Sequence, residues 1–262
     1  MLFLRLFLTL VVCLPLAPLS AVVEHLTPVV VSRLPHNLPA FTQGLAIEDE
    51  QLYESTGLYG GSSLRRMDIL TGEVISKRLL SPEIFGEGIA VFPQQIVQIS
   101  WKEGRAFVYE RKSLQLKHVL FYPGEGWGLC RDGGTVWMSN GTSFLTQRDP
   151  STFAPLRTLE VRWEGVPVQR LNDLECVGHD LYANIWQENW ILRIDKSTGK
   201  VTGVLDASDL LSLWEKKDLS DDSVLNGIAF RKKTGTFFLT GKEWPWIFEI
   251  RLVPGTVRIP SP

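Results

Sequence analysis

The sequence predicts an all-β protein: a five-bladed β-propeller closed by a strand from its N-terminus, with one short helical insertion before the last blade. Three observations predict it. A short motif recurs five times, as Gln43-Gly44-Leu45-Ala46, Glu87-Gly88-Ile89-Ala90, Trp127-Gly128-Leu129-Cys130, Asn172-Asp173-Leu174-Glu175 and Asn226-Gly227-Ile228-Ala229. Each copy is followed by an apolar, strand-like run: Leu52-Tyr53, Ile96-Val97, Val136-Trp137, Leu181-Tyr182 and Phe237-Phe238. The copies start 44, 40, 45 and 54 residues apart. Repeats of that length carrying several short strands are propeller blades.

Taken in order, Met1 to Ala21 reads as a secretory signal: Arg5, then a run from Leu6 to Leu19 nearly free of charge, then small residues at Ser20-Ala21. The alternative is a retained anchor, but Pro15 and Pro18 break a run that is already short for a span. Residues 22–262 then form one domain. Glu24 to Leu34 contains Val29-Val30-Val31 and is β-rich. It precedes the first repeat, and the last repeat looks one strand short. A donated N-terminal strand completes that blade and removes an open edge.

Within each repeat a third strand is expected: Ser63 to Asp68, Ala106 to Glu110, Phe144 to Asp149, Trp190 to Asp195 and Ile247 to Arg251. Asp68 to Gly72 and Asp195 to Gly199 read Asp-x-x-Thr-Gly, and Asp149 begins a variant. An Asp opening and a Gly closing such a segment is hairpin chemistry rather than metal ligation. Asp206 to Glu215 reads as a short amphipathic helix capped by Asp206 or Ser208, either a lid over one face or a packed decoration. Asp218, Asp221 and Asp222 read as a solvated connection. Cys130 and Cys176 fall one residue out of step in the repeat alignment, so two buried thiols are expected rather than a disulfide.

The charge balance, 27 Lys+Arg against 29 Asp+Glu, leaves no electrostatic footprint for nucleic acid or an anionic membrane. The four histidines are scattered, and neither a Gly-x-Ser-x-Gly nor a phosphate loop is present. What remains is a set of chemically dissimilar residues at equivalent repeat positions. The first motif positions hold Gln43, Glu87, Trp127, Asn172 and Asn226. A second ring, thirteen residues beyond the second motif position, holds Gly57, Trp101, Gly141 and Trp186. The last repeat, two residues longer, reaches Lys242. Each Trp alone reads as core. Equal packing needs would favour similar residues, so the set reads as a pocket with aromatic walls and a few polar groups, able to bind a small polar group and move a proton. A propeller lactonase or lyase would need several acidic or His ligands at the first positions, where only Glu87 ionises. A non-catalytic docking propeller stays open.

The text Phe41-Thr42-Gln43-Gly44-Leu45, Phe85-Gly86-Glu87-Gly88, Gly126-Trp127-Gly128-Leu129, Ser139-Asn140-Gly141-Thr142-Ser143, Leu171-Asn172-Asp173-Leu174-Glu175, Ala183-Asn184-Ile185-Trp186-Gln187, and Leu225 to Ala229 with Thr240 to Pro245 resembles the plant and bacterial type of glutaminyl cyclase, a five-bladed propeller. The resemblance covers roughly residues 36–253. It implies that Glu87 is the acid/base and that Phe41, Gln43, Phe85, Trp101, Trp127, Asn172, Trp186 and Lys242 complete the pocket. It also implies a substrate with N-terminal Gln, no catalytic cofactor, and a structural cation, calcium, in the central channel. Asn172 is expected to donate to an oxyanion, and Lys242 and Gln43 to hold substrate carbonyl or amide groups. The tryptophans are expected to exclude water. An exported, periplasmic or secreted monomer is the corresponding expectation, free of the membrane once the signal is removed.

Overall fold

A computed structural model describes residues 23–255. The expected signal segment, 1–21, lies outside the described residues. The motif strands are Thr42–Glu48, Gly86–Val91, Leu129–Asp132, Leu171–Val177 and Leu225–Arg231. Each pairs antiparallel with the next strand in sequence, and each pack of strands continues outward in chain order. Three repeats form separate four-stranded sheets. The last two share an eight-stranded sheet. The result is an all-β, propeller-like fold in which each motif strand packs against the next and the fifth packs against the first.

The N-terminal strand Glu24–Pro35 pairs antiparallel with Trp246–Pro254, as expected. It also pairs parallel with the strand Val201–Asp206, from Glu24↔Gly203 to Leu26↔Leu205, which was not expected. That second contact is what fuses the last two sheets. The donated strand therefore covers the outer edges of two neighbouring repeats at once.

The core lies between repeats. Leu129 packs with Ala90 and Val97 of the preceding repeat, whereas Cys130 packs with Leu174 and Leu181 of the following one. The alternation of a strand explains this: successive side chains face opposite neighbours. It also corrects the expectation for the cysteines. Cys130 and Cys176 form a disulfide, with Cα atoms 5.7 Å apart. Equivalent positions in neighbouring repeats point in the same rotational sense and cannot meet. Cys130 looks towards the next repeat, and Cys176, two residues after Leu174, looks back. Being one residue out of step is the condition that lets them face each other.

The Asp turns are as expected. Asp68 Oδ1 accepts from the N–H groups of Leu70 and Thr71, and Asp195 and Asp149 repeat the pattern. The helix is not as expected. It spans only Leu213–Lys216, capped by Ser212, whose side chain accepts from Glu215 N while Glu215 reaches back to Ser212 N. Asp206 instead accepts from Ser208 in a turn. Leu210 and Leu211 are buried, but Leu213 and Trp214 are exposed. The apolar residues thus fall on two different structures rather than on one helical face.

Candidate active site

The motif positions reach the site because the ladder slips there. Register shifts fall between Thr42 and Gly44, Gly86 and Ile89, Leu171 and Leu174, and Leu225 and Ile228. In the remaining repeat the strand begins at Leu129, so Trp127 and Gly128 stand before it. A bulge takes a residue out of pairing and re-aims its side chain. Glycine in second place allows neighbouring backbones to touch: a Cβ on Gly88 would sit 2.4 Å from the nitrogen of Leu129. Asp173 replaces that glycine once, and its Oδ2 accepts from Leu45 N (3.2 Å) and Ile228 N (3.0 Å). It thereby ties the first and fifth motif strands across the centre.

The second ring is also real. The N–H groups of Gly57, Trp101, Trp186 and Lys242 each donate to the carbonyl two residues before a first motif position: Phe41, Phe85, Arg170 and Val224, at 2.8, 2.9, 2.8 and 2.9 Å. Lys242 is therefore equivalent to the two tryptophans despite the longer last repeat. Gly141, at φ +79°, holds the same place in the third repeat, where a Cβ would lie 2.6 Å from the Trp127 ring.

Phe41, Gln43, Phe85, Glu87, Trp101, Trp127, Asn172, Trp186 and Lys242 all line one cavity of about 260 Å³. These nine expected residues are thus brought together, whereas Asn226, also expected at the pocket, is fully buried behind Gln43 and does not line it. Leu58 and Asp222 complete the lining and were not expected. Leu58 follows a ring glycine, which was its one signal. Asp222, expected in a solvated connection, instead reaches the cavity wall. Phe41 meets Phe85 edge-on, Phe85 meets Trp101, and Trp127 meets Trp186, with ring centres 6.4, 5.4 and 5.7 Å apart.

Glu87 is 5% exposed. Gln43 Nε2 donates to its Oε1 at 3.2 Å, and Asn226 Nδ2 donates to Gln43 Oε1 at 3.2 Å and to the Thr42 carbonyl at 3.0 Å. Asn226 therefore fixes which end of the Gln43 amide faces the acid. Glu87 Oε2 is buried and has no partner. Burial pushes the Glu87 carboxyl well above its ordinary range; Lys242 opposes the shift, and Asp173, Glu103 and Glu125 add to it. Lys242 is also buried, with its ammonium 4.7 Å from the centre of the Phe41 ring. Burial lowers its pKa, against the pull of Glu87 and Asp222. Asn172 is buried, and its Oδ1 has no partner. Unsatisfied buried polar atoms are costly, and Glu87 Oε2 and Asn172 Oδ1 both belong to residues that line this cavity.

A propeller-like scaffold whose aromatic slot is also lined by a carboxylate with one unpartnered oxygen has the groups to bind a small polar molecule. The chain matches the model of the glutamine cyclotransferase family over residues 5–252, and it belongs to that family. It is 37% identical over 231 residues to a glutaminyl-peptide cyclotransferase of Arabidopsis thaliana, covering 87% of this chain and 72% of that one. It is also similar to the crystal structure of Myxococcus xanthus glutaminyl cyclase, with a TM-score of 0.84 and 36% identity, over 89% of this chain and all of the other.

Proposed function

We propose that this chain is a glutaminyl-peptide cyclotransferase, built as a five-bladed propeller, that converts the N-terminal glutamine of peptides or proteins to pyroglutamate. The observation that carries the reading is Glu87: buried in the wall of the aromatic slot, held through one oxygen, with the other unpartnered. The neutral α-amine of the substrate attacks its own γ-amide carbon. A C–N bond forms, the C–NH₂ bond breaks, and ammonia leaves. The nucleophile comes with the substrate, so the protein's tasks are folding the Gln into a reactive conformer, stabilising the oxyanion and relaying one proton. Glu87 Oε2 takes the amine proton and returns it to the departing nitrogen. Its raised pKa suits both halves of that relay. Asn172, in the cavity wall, serves the oxyanion through its side-chain amide N–H groups, the only donors of that side chain. Lys242 and Gln43 hold substrate carbonyl or amide groups, and the aromatic walls exclude water.

The reading extends to residues 22–262 as the single catalytic domain of an exported monomer, after loss of residues 1–21. A calcium ion in the channel fits one feature of the chain. Asp173 lies at the centre, fully buried, with Oδ1 unpartnered. Among the described residues no three His, Cys, Asp or Glu side chains converge at metal distance. Backbone carbonyls would therefore supply the remaining ligands, and the ion would offset the burial that raises Asp173 to about 8.

Incubation with a Gln-initiated peptide, followed by mass and released ammonia, tests the activity. Wild-type protein is expected to cyclise it, and Glu87→Gln to lose roughly a hundredfold or more in turnover, the scale of general acid–base catalysis. Near-normal turnover by folded Glu87→Gln would overturn the mechanism.

A further inference from the structure

The pocket wall is made of two aromatic groups, Phe41-Phe85-Trp101 and Trp127-Trp186. One residue outside the cavity lining joins them. Glu125 Oε2 accepts from the indole N–H of Trp101 at 2.9 Å and from that of Trp127 at 3.1 Å. Its neighbour Gly126 donates to the Trp101 carbonyl at 2.9 Å, so the backbone is held at the same junction. Glu125 is half-buried and does not line the cavity. Both N–H edges are therefore turned away from the substrate space, and the slot is faced by ring carbon. The exposed Lys102 ammonium lies 3.7 Å from the centre of the Trp101 ring.

We propose that Glu125 is a positioning residue: one carboxylate oxygen behind the wall holds both indoles by their N–H groups and so sets the width of the slot that receives the substrate's glutamine side chain. An indole has one N–H and no acceptor, and a carboxylate oxygen can accept two bonds, so a single oxygen satisfies both rings. Charge-assisted bonds of this kind are stronger than neutral ones. Without the anchor each indole regains rotation about two bonds, and its N–H seeks a partner inside the slot. The consequence falls on substrate alignment, where displacements of about 1 Å can cost about a hundredfold. Glu125 has a second effect at a distance. Glu87 is faced by Lys242, Asp173, Glu103 and Glu125, and the charge of Glu125 is one of three that hold its proton on.

The role as a determinant of turnover rests on the activity proposed above; the clamp itself does not. The test compares Glu125→Ala and Glu125→Gln with wild type, using ¹⁵N-Trp indole spectra and kcat/KM on a Gln-initiated peptide. Glu125→Ala is expected to shift two indole N–H signals, speed their exchange with solvent, and lower kcat/KM by about tenfold to a hundredfold. Glu125→Gln keeps an oxygen able to accept two bonds, so it restores both signals and most of the activity. Having lost the charge, it also moves the acidic limb of the rate profile to lower pH. A melting curve accompanies each variant, and Glu125→Leu replaces Glu125→Ala if the latter does not fold. Unmoved indole signals, wild-type kcat/KM in a folded Ala or Leu variant, or a Gln variant as impaired as Ala would each overturn the proposal. A wild-type protein that leaves the peptide intact would instead refute the activity, while the indole spectra still decide the clamp.

Discussion

Glu54 and Glu87 lie in adjacent repeats, and both are out of water: Glu54 is fully buried and Glu87 is 5% exposed. Their surroundings differ. Glu54 Oε1 accepts from Thr42 Oγ1 at 2.7 Å and meets His36 Nε2 at 2.8 Å, while Oε2 accepts from Arg65 Nη1 at 3.3 Å. Arg65 also donates to the carbonyls of Asn37 and Pro39, and His36 Nδ1 meets the Trp244 carbonyl. The network ties the segment that follows the closing strand to the first and last repeats. Burial pushes the Glu54 carboxyl up, but His36, Arg65 and Thr42 more than offset it and hold it below its ordinary range. Glu87 has one weak partner and a free oxygen, and it goes the other way. Burial alone does not make a carboxylate reactive; burial without partners does. One acid is used to close the ring, and the other is kept available.

The largest effect expected from this contrast is on stability at Glu54. Glu54→Ala leaves Arg65 and His36 buried without their acid, which costs about 3–5 kcal/mol when one partner of a buried pair is removed. For a chain of this size that is a fall in Tm on the order of 10 °C. Glu87→Gln is expected to leave Tm unchanged or raise it, because an amide carries no desolvation cost as an anion. A Glu54→Ala protein that melts with wild type would erase the contrast.

The disulfide comes next. It joins neighbouring repeats at the far ends of the motif strands, where it lines a separate depression of about 600 Å³. Replacing both cysteines by Ser is expected to remove about 2–4 kcal/mol of stability. Because the bond is remote from the aromatic slot, kcat/KM should hold. Loss of activity in a folded double variant would show that the two mouths are coupled.

Lys242→Ala is expected to lower kcat/KM by roughly tenfold or more, as loss of a charged substrate contact does, with little change in Tm. It also removes a positive charge that pulls the Glu87 pKa down, so the acidic limb of the rate profile should move to higher pH. A large fall in Tm with an unmoved limb would assign Lys242 to the framework instead.

The contrast also sets the dependence of stability on pH. Asp173 is raised to about 8, and Glu87 is raised well above its ordinary value. A group raised on folding binds more protons folded than unfolded, so stability declines as pH climbs from its unfolded pKa to its folded one. Glu54 has the opposite sign: its contribution is complete above its unfolded pKa and is lost only as pH falls through its depressed folded value. Tm is therefore expected to fall from about pH 5 to about pH 8. Added calcium should reduce that fall if Asp173 binds an ion. A Tm that rises over this range would show that the fold favours the anions of Glu87 and Asp173 rather than penalising them.

Much of this was legible in the sequence because the fold repeats itself. Five copies of one motif align Gln43, Glu87, Trp127, Asn172 and Asn226, and a propeller brings aligned positions to one mouth. Lys242 was found the same way, and its backbone bond to Val224 matches that of Trp101 to Phe85. The unreadable parts depend on relations between repeats. The cysteine pairing was misjudged because the facing rule for one sheet was applied to two. The helix was overextended because Leu210 and Leu211 enter the core while Leu213 and Trp214 leave it. Glu125 carried no signal at all, since its role exists only where Trp101 and Trp127, 26 positions apart in the chain, turn their N–H edges to the same point.

The central claim is that the free oxygen of Glu87 relays the proton and that its environment sets the pH at which it does so. The most direct test is the dependence of kcat/KM on pH for wild type and Glu87→Gln with the same Gln-initiated peptide. Wild type is expected to show an acidic limb well above the ordinary carboxylate range, near about 4.3 for Glu. In Glu87→Gln the Glu87 limb should vanish, leaving only that of the substrate's α-amine, which must be neutral to attack and titrates near about 7.7–8.0. An unchanged limb in folded Glu87→Gln, or a wild-type limb at the ordinary value, would contradict the account.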